Sequence, residues 1–121
     1  MVHFVGAGPG AADLITVRGQ RLLEEADVVV YAGSLVNPQL LESCKEGCEI
    51  HNSAYMTLEE VIEVIAGAEK KGRKVVRLHT GDPSIYGAVK EQMDVLEREG
   101  ISYDVCPGVS SFCGAAAALK A

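Results

Sequence analysis

"VVRLHTGDPSIYGA", residues 75–88, carries an apolar run into the start of a helical pattern through a joint almost stripped of bulk. Val75 and Val76 lead in, Gly81, Asp82 and Pro83 form the corner, and Gly87 follows one short turn later. The corner nevertheless holds many polar or aromatic groups: His79, Thr80, Asp82, Ser84 and Tyr86. A strand that feeds a helix through such a joint is a unit of α/β architecture, and the same alternation recurs on both sides of it.

Upstream, "VHFVGAG" (2–8) reads as a strand ending in a glycine turn, and "LITVRGQRLLEEA" (14–26) as a helix with Thr16 as its cap. "DVVVYAG" (27–33) is a strand of the fully buried kind, "NPQLLESC" (37–44) a short helix and "CEIHNS" (48–53) a third strand. "MTLEEVIEVIAGAEKKG" (56–72) is the clearest helix: Thr57 and Glu60 make a capping box, and Met56 with Val61 a hydrophobic staple. Its apolar face is Leu58, Val61, Ile62 and Ile65, and Lys70, Lys71 and Gly72 suit its end.

Around the opening stretch, "KVVRLHT" (74–80) is strand four, and "PSIYGAVKEQMDVLEREG" (83–100) a helix with Ile85, Val89, Met93 and Leu96 aligned. "YDVCPG" (103–108) is strand five, after which Ser110 caps an Ala-rich run to Ala121. Continuous apolar strands alternating with helices predict a mainly parallel five-stranded sheet covered on both faces, a three-layer α/β/α arrangement. In such sheets ligands gather outside the carboxyl ends of the strands. The loops "GAGPGAAD", "YAGSLVNP", "HTGDPSIYG" and "CPGVSS" all fall there. Turn chemistry alone asks for some of that Gly, Pro and Asp, but not for four such loops at one rim.

A chain of 121 residues that is 48% hydrophobic can bury one core, and with no Trp it must build that core from Val, Ile, Leu and Ala. No apolar run approaches the roughly 20 residues that cross a bilayer, and no basic-then-apolar leader opens the chain, so a soluble cytoplasmic protein is expected. Cys44, Cys48, Cys106 and Cys113 lack paired zinc-knuckle spacing, which predicts free thiols and no metal. The net charge of −6, with acids and bases interspersed, argues against a nucleic-acid surface.

Gly6-Ala7-Gly8-Pro9-Gly10-Ala11 spells G-x-G-x-x-A, yet the dinucleotide mechanism needs more than spelling. The loop should run straight into a helix N-terminus, and an acid should close strand two for the ribose. Here Pro9-Gly10 interrupts the turn, the next helix is expected only near Thr16, and strand two ends in Tyr31-Ala32-Gly33-Ser34. What the loop offers instead is bare backbone that another molecule can approach.

Taken together, "VGAGPGAADLIT" (5–16), "ADVVVYAGSLV" (26–36), "VVRLHTGDPSIYGA" (75–88) and "CPGVSSFCGAAAAL" (106–119) resemble the tetrapyrrole, or class III, S-adenosylmethionine methyltransferases. Within that family, "YAGSLV" and "RLHTGDPSIYGA" look like the branch that methylates C11 of precorrin-4 in cobalamin biosynthesis; branches acting on uroporphyrinogen III or another precorrin are the nearer alternatives. The resemblance implies that residues 1–121 are the N-terminal α/β domain of a two-domain, homodimeric enzyme, with a second domain beyond Ala121. It implies S-adenosylmethionine as methyl donor, held between the two domains, and a tetrapyrrole as substrate. Carried over onto this sequence, the donor-contacting residues are Pro9, Thr80, Gly81, Asp82, Ile85, Tyr86, Ser110 and Ser111.

Methyl transfer from a sulfonium needs no metal and no covalent enzyme intermediate; it needs alignment and dryness. Asp82 before Pro83 is also a sound helix start, worth roughly 1 kcal/mol as an N-cap, and capping is compatible with ligand contact. His79 has the side chain of a general base, but a histidine closing a buried strand is more often a packing residue, so no base is assigned. Arg18, Arg21 and Arg77 are unranked candidates for gripping substrate carboxylates. From other classes, a nucleotide-binding dehydrogenase domain and a non-catalytic scaffold module compete with this reading.

Overall fold

The computed structural model describes residues 1–33, 36–79 and 89–120, with all side chains there except those of Ser111 and Phe112. Five strands, β1 (Val2–Gly6), β2 (Val28–Tyr31), β3 (Glu49–Asn52), β4 (Val75–His79) and β5 (Tyr103–Cys106), form one sheet in the order β3-β2-β4-β1-β5. Every neighbouring pair is parallel, with Val2 beside Val75 and Tyr103, and Gly6 beside His79. The helices are α1 (Val17–Glu25), α2 (Leu58–Lys70), α3 (Lys90–Arg98) and α4 (Ser111–Leu119).

Alternation along the strands divides the core in two. Val2, Phe4, Val28, Val30 and Val75 face one side, where α2 and α3 cover them with Val61, Ile62, Ile65, Ala68, Val89 and Leu96. Val5, Val29, Val76 and Leu78 face the other, covered by Leu23 and Ala26 at the end of α1 and by Val36 and Leu40. Such period-two division with apolar residues on both faces is what a sheet buried between helical layers requires. The three-layer arrangement expected from the sequence is the one observed. The four cysteines are free thiols, Cys106 within the second cluster and Cys44 and Cys48 packed against it.

Local signals account for most boundaries. Thr57 accepts from the Glu60 amide while Glu60 reaches back to the Thr57 amide, completing the expected capping box. Thr16 caps α1 by accepting from the Gly19 amide at 3.1 Å. α1 is shorter than expected, because Ala12–Leu14 form a separate 3-10 turn and Ile15 is extended. The short helix at 37–44 is likewise a 3-10 segment, Pro38–Ser43, capped by Asn37. The described part of the helix expected at 83–100 is α3; its expected first turns, with Asp82 as cap and Ile85 on its face, lie outside the described residues.

Candidate functional site

The two helical layers define where the sheet can hold a ligand. β1 leads into α1, which covers one face, whereas β4 leads into α3, which covers the other. These strands are neighbours, so the chain leaves their carboxyl ends in opposite directions. That divergence is a topological switch point, and in open parallel sheets the crevice it leaves is the usual ligand site. The glycine loop after β1 leaves from it; residues 80–88, which follow β4 in the sequence, lie outside the described residues.

The glycine loop is held from four sides. Ala7 is buried and donates its amide to the His79 carbonyl, extending the β1–β4 ladder past the last paired residues. Gly8 has φ +85°, and a Cβ there would sit 2.9 Å from the Leu14 carbonyl oxygen, so only glycine lets the loop fold onto the turn that follows. Asn37 donates to the Gly10 carbonyl at 2.9 Å and ties the loop to the exit of β2. Pro9, half-buried, packs against α4 so closely that a Cβ on Gly114 would lie 2.7 Å from the Pro9 Cβ.

Two of the expected donor contacts, Pro9 and Ser110, are therefore joined through α4. Ser110, 6% exposed, accepts from the Cys113 amide at 3.5 Å and caps that helix. Ser111 is the first residue of α4, and Thr80, Gly81, Asp82, Ile85 and Tyr86 lie outside the described residues. The loop also argues against a dinucleotide site. A 3-10 turn and extended Ile15 separate Gly10 from the start of α1 at Val17, and β2 closes on Tyr31 rather than an acid. No helix N-terminus follows the glycines directly to receive a pyrophosphate.

Arg77 departs most from its expected role. Offered by the sequence as a carboxylate grip, it is 5% exposed in the middle of β4. Its Nε donates to Gln92 Oε1 at 2.9 Å, Nη1 to the Val30 carbonyl at 3.1 Å and Nη2 to Ser53 Oγ at 3.0 Å. Burial pushes its pKa down to about 10, which leaves the guanidinium charged at neutral pH. A buried cation must be satisfied where it lies, so this one is spent on holding β2, β4, α3 and the turn after β3 together. Arg18 and Arg21 are exposed on α1.

His79 closes β4 with its ring stacked on Phe4, centroids 6.3 Å apart. Burial, and after it the Arg77 charge, push its pKa down to about 3, so the imidazole is neutral at physiological pH. Its Nε2 is buried and meets no hydrogen-bond partner among the described residues. A group so hard to protonate is a poor general base, in keeping with the packing role.

The 3-10 turn Ser53–Tyr55, which follows β3 at the same rim, was not singled out by motif reasoning. The signal that leads to it is Arg77 itself: an arginine inside an apolar strand must find acceptors, and Ser53 is one of them. Elsewhere, a hollow of about 430 Å³ opens between α2 and α3, floored by Leu58, Ile62, Ala66 and Val95, and among the described residues no rim loop lines it.

Comparison with known proteins agrees with the switch-point geometry. The profile of the tetrapyrrole (corrin/porphyrin) methylases matches residues 1–121. A cobalt-precorrin-4 C(11)-methyltransferase of Methanocaldococcus jannaschii is 60% identical over 119 residues, 98% of this chain and 46% of that protein. The X-ray structure of the cobalamin biosynthetic enzyme cobalt precorrin-4 methyltransferase, CbiF, superposes with a TM-score of 0.96 at 49% identity, covering 99% of this chain and 50% of that one. A uroporphyrin-III C-methyltransferase from Thermus thermophilus, crystallised with S-adenosyl homocysteine, superposes with a TM-score of 0.76 at 37% identity over 91% of this chain and 45% of its own. The chain thus spans about half the length of the relatives it matches. By fold, by switch-point loops and by sequence, it belongs to the tetrapyrrole (corrin/porphyrin) methylase family.

Proposed function

We propose that this chain is the N-terminal domain of a two-domain enzyme that transfers a methyl group from S-adenosylmethionine to C11 of precorrin-4 or its cobalt form, in the making of the corrin ring. The observation that carries the reading is the match to precorrin-4 methyltransferases along nearly the whole chain, at 60% identity in sequence and a TM-score of 0.96 in structure. The donor class is supported by the Thermus relative, whose crystals hold S-adenosyl homocysteine. Half of the cleft is contributed by a second domain, and the assembly is a cytoplasmic homodimer; no described helix is long and apolar enough to cross a membrane.

In the reaction an electron pair of the substrate carbon attacks the methyl group. The methyl–sulfur bond breaks with its electrons left on sulfur, the sulfonium becomes a thioether, and the substrate gives up a proton. The work left to the protein is to align the three atoms and exclude water. Pro9 on the glycine loop, Thr80, Gly81, Asp82, Ile85 and Tyr86 after β4, and Ser110 with Ser111 at the head of α4 line the donor side. Bare backbone at the glycine loop permits the close approach, and its anchorage to Asn37 and α4 keeps that wall rigid.

The test compares the 121-residue chain with a version extended by the second domain. The extended protein should convert precorrin-4 to a product one methyl heavier, with the label at C11. The short chain should bind S-adenosyl homocysteine at least a hundredfold more weakly in calorimetry. Equal affinity would overturn the shared cleft, and methylation of uroporphyrinogen III in place of precorrin-4 would overturn the substrate.

A further inference from the structure

Tyr55 is 87% exposed, more than any other large apolar or aromatic side chain among the described residues. Single apolar residues on a surface are ordinary. This one stands on a support that is not. It ends the 3-10 turn that follows β3, at the carboxyl-end rim of the sheet. Asn52 Oδ1 accepts from the Ala54 amide at 2.9 Å, and the Met56 amide donates to the Ser53 carbonyl at 3.1 Å, closing the turn at both ends.

Beneath it, Ser53 Oγ donates to the Tyr31 carbonyl at 3.0 Å and accepts from Arg77 Nη2 at 3.0 Å. Beside it, Gly33 at the exit of β2 has φ +82°, and a Cβ there would lie 3.2 Å from the Ala54 methyl. The turn is thus braced by a buried guanidinium, by β2 and by a glycine that lets it come close. Placing a charge under a surface turn is a costly way to hold a chain reversal, and above it stands one largely exposed aromatic ring.

We propose that Tyr55 is a substrate-contact residue, its ring laid against the broad apolar face of the tetrapyrrole, with Ser53 and Arg77 as positioning residues behind it. The assignment rests on the functional reading above, in which the rim is one wall of the cleft where macrocycle and donor meet. A tyrosine suits the task because it offers a wide, flat apolar surface with few torsions to freeze, and its hydroxyl stays in water. A turn already held rigid loses little further freedom when the ring docks.

The experiment uses the two-domain protein with precorrin-4 and S-adenosylmethionine in steady-state kinetics. Tyr55→Ala should raise KM for the tetrapyrrole about tenfold while KM for the donor and the melting temperature stay unchanged. Tyr55→Phe should behave like the unsubstituted protein, because the ring and not the hydroxyl makes the contact. Ser53→Ala should raise the same KM about threefold, and should add nothing in the Tyr55→Ala background, as expected if it acts through that ring. An unchanged tetrapyrrole KM in Tyr55→Ala, with methylation intact, would overturn the assignment and leave the functional reading standing. A rise in both KM values with a lower melting temperature would overturn it too, since that is the pattern of a structural residue. Absence of precorrin-4 methylation by the unsubstituted protein would sink the functional reading and this assignment with it.

Discussion

α2 and α4 both begin at a hydroxyl cap and both are rich in apolar residues, yet of their described residues only those of α2 enter the core. α2 buries Val61, Ile62, Ile65 and Ala68 against the sheet. α4 carries Ala115 to Ala118 in an unbroken run, leaves Leu119 78% exposed and has no buried residue among those described. Composition alone does not bury a helix. In α2 bulky β-branched residues recur on one face with polar ones opposite, so docking that face removes much apolar surface from water. In α4 the alanine run 115–118 offers only methyl groups, so docking it removes little apolar surface from water. Among its described residues a tight contact falls where there is least bulk, Gly114 against Pro9.

The contrast breaks most readily at a bulky core residue. Ile65→Ala, at a fully buried position, should lower unfolding free energy by about 3–4 kcal/mol, whereas Leu119→Ala should stay within about 0.5 kcal/mol of the parent. Denaturant titration of both variants measures the difference, and comparable losses would mean that α4 is docked after all. Next in size is Gly114→Ala. Helix propensity alone makes alanine better than glycine by about 1 kcal/mol. The new methyl would meet the stiff Pro9 ring at 2.7 Å, so the net effect should be a loss of about 1–2 kcal/mol. A gain in stability would show that the glycine loop yields freely.

The smallest effect concerns the caps. Thr57→Ala and Ser110→Ala each remove a bond worth about 1 kcal/mol to their helix. For α2 the loss should appear in global unfolding, because the helix and the core melt together. For α4 it should appear as faster amide exchange within Gly114–Leu119, with the global midpoint hardly moved. Identical global losses would erase the distinction between the two helices.

Much of this architecture was legible in the residues. Thr57 and Glu60 announced the capping box, Thr16 and Ser110 the starts of α1 and α4, and the valine runs the buried strands. The glycine loop's unfitness for a dinucleotide was legible from Pro9-Gly10 and from a second strand without a closing acid. Two helices were overread: Leu14 to Thr16 lack the backbone to join α1, and Pro38 starts a tighter 3-10 coil. Of the donor-site residues named from the resemblance, Pro9 and Ser110 are found on neighbouring loops, and the cluster from Thr80 to Tyr86 lies outside the described residues. Arg77 was misplaced because a single charged letter in a strand does not say whether it points to water or to acceptors inside.

By itself the sequence determined the strand–helix alternation, the caps and the family, since each depends on residues within a few positions or on motifs contiguous in the chain. Only the tertiary structure decided that β4 lies between β2 and β1, which sends the chain to opposite faces at the switch point. It also decided that Arg77 is spent beneath the turn bearing Tyr55, and that Pro9 leans on Gly114. These are pairings between residues 24 to 105 positions apart. Their energies come from filled space and matched donors, which exist only once the layers have closed.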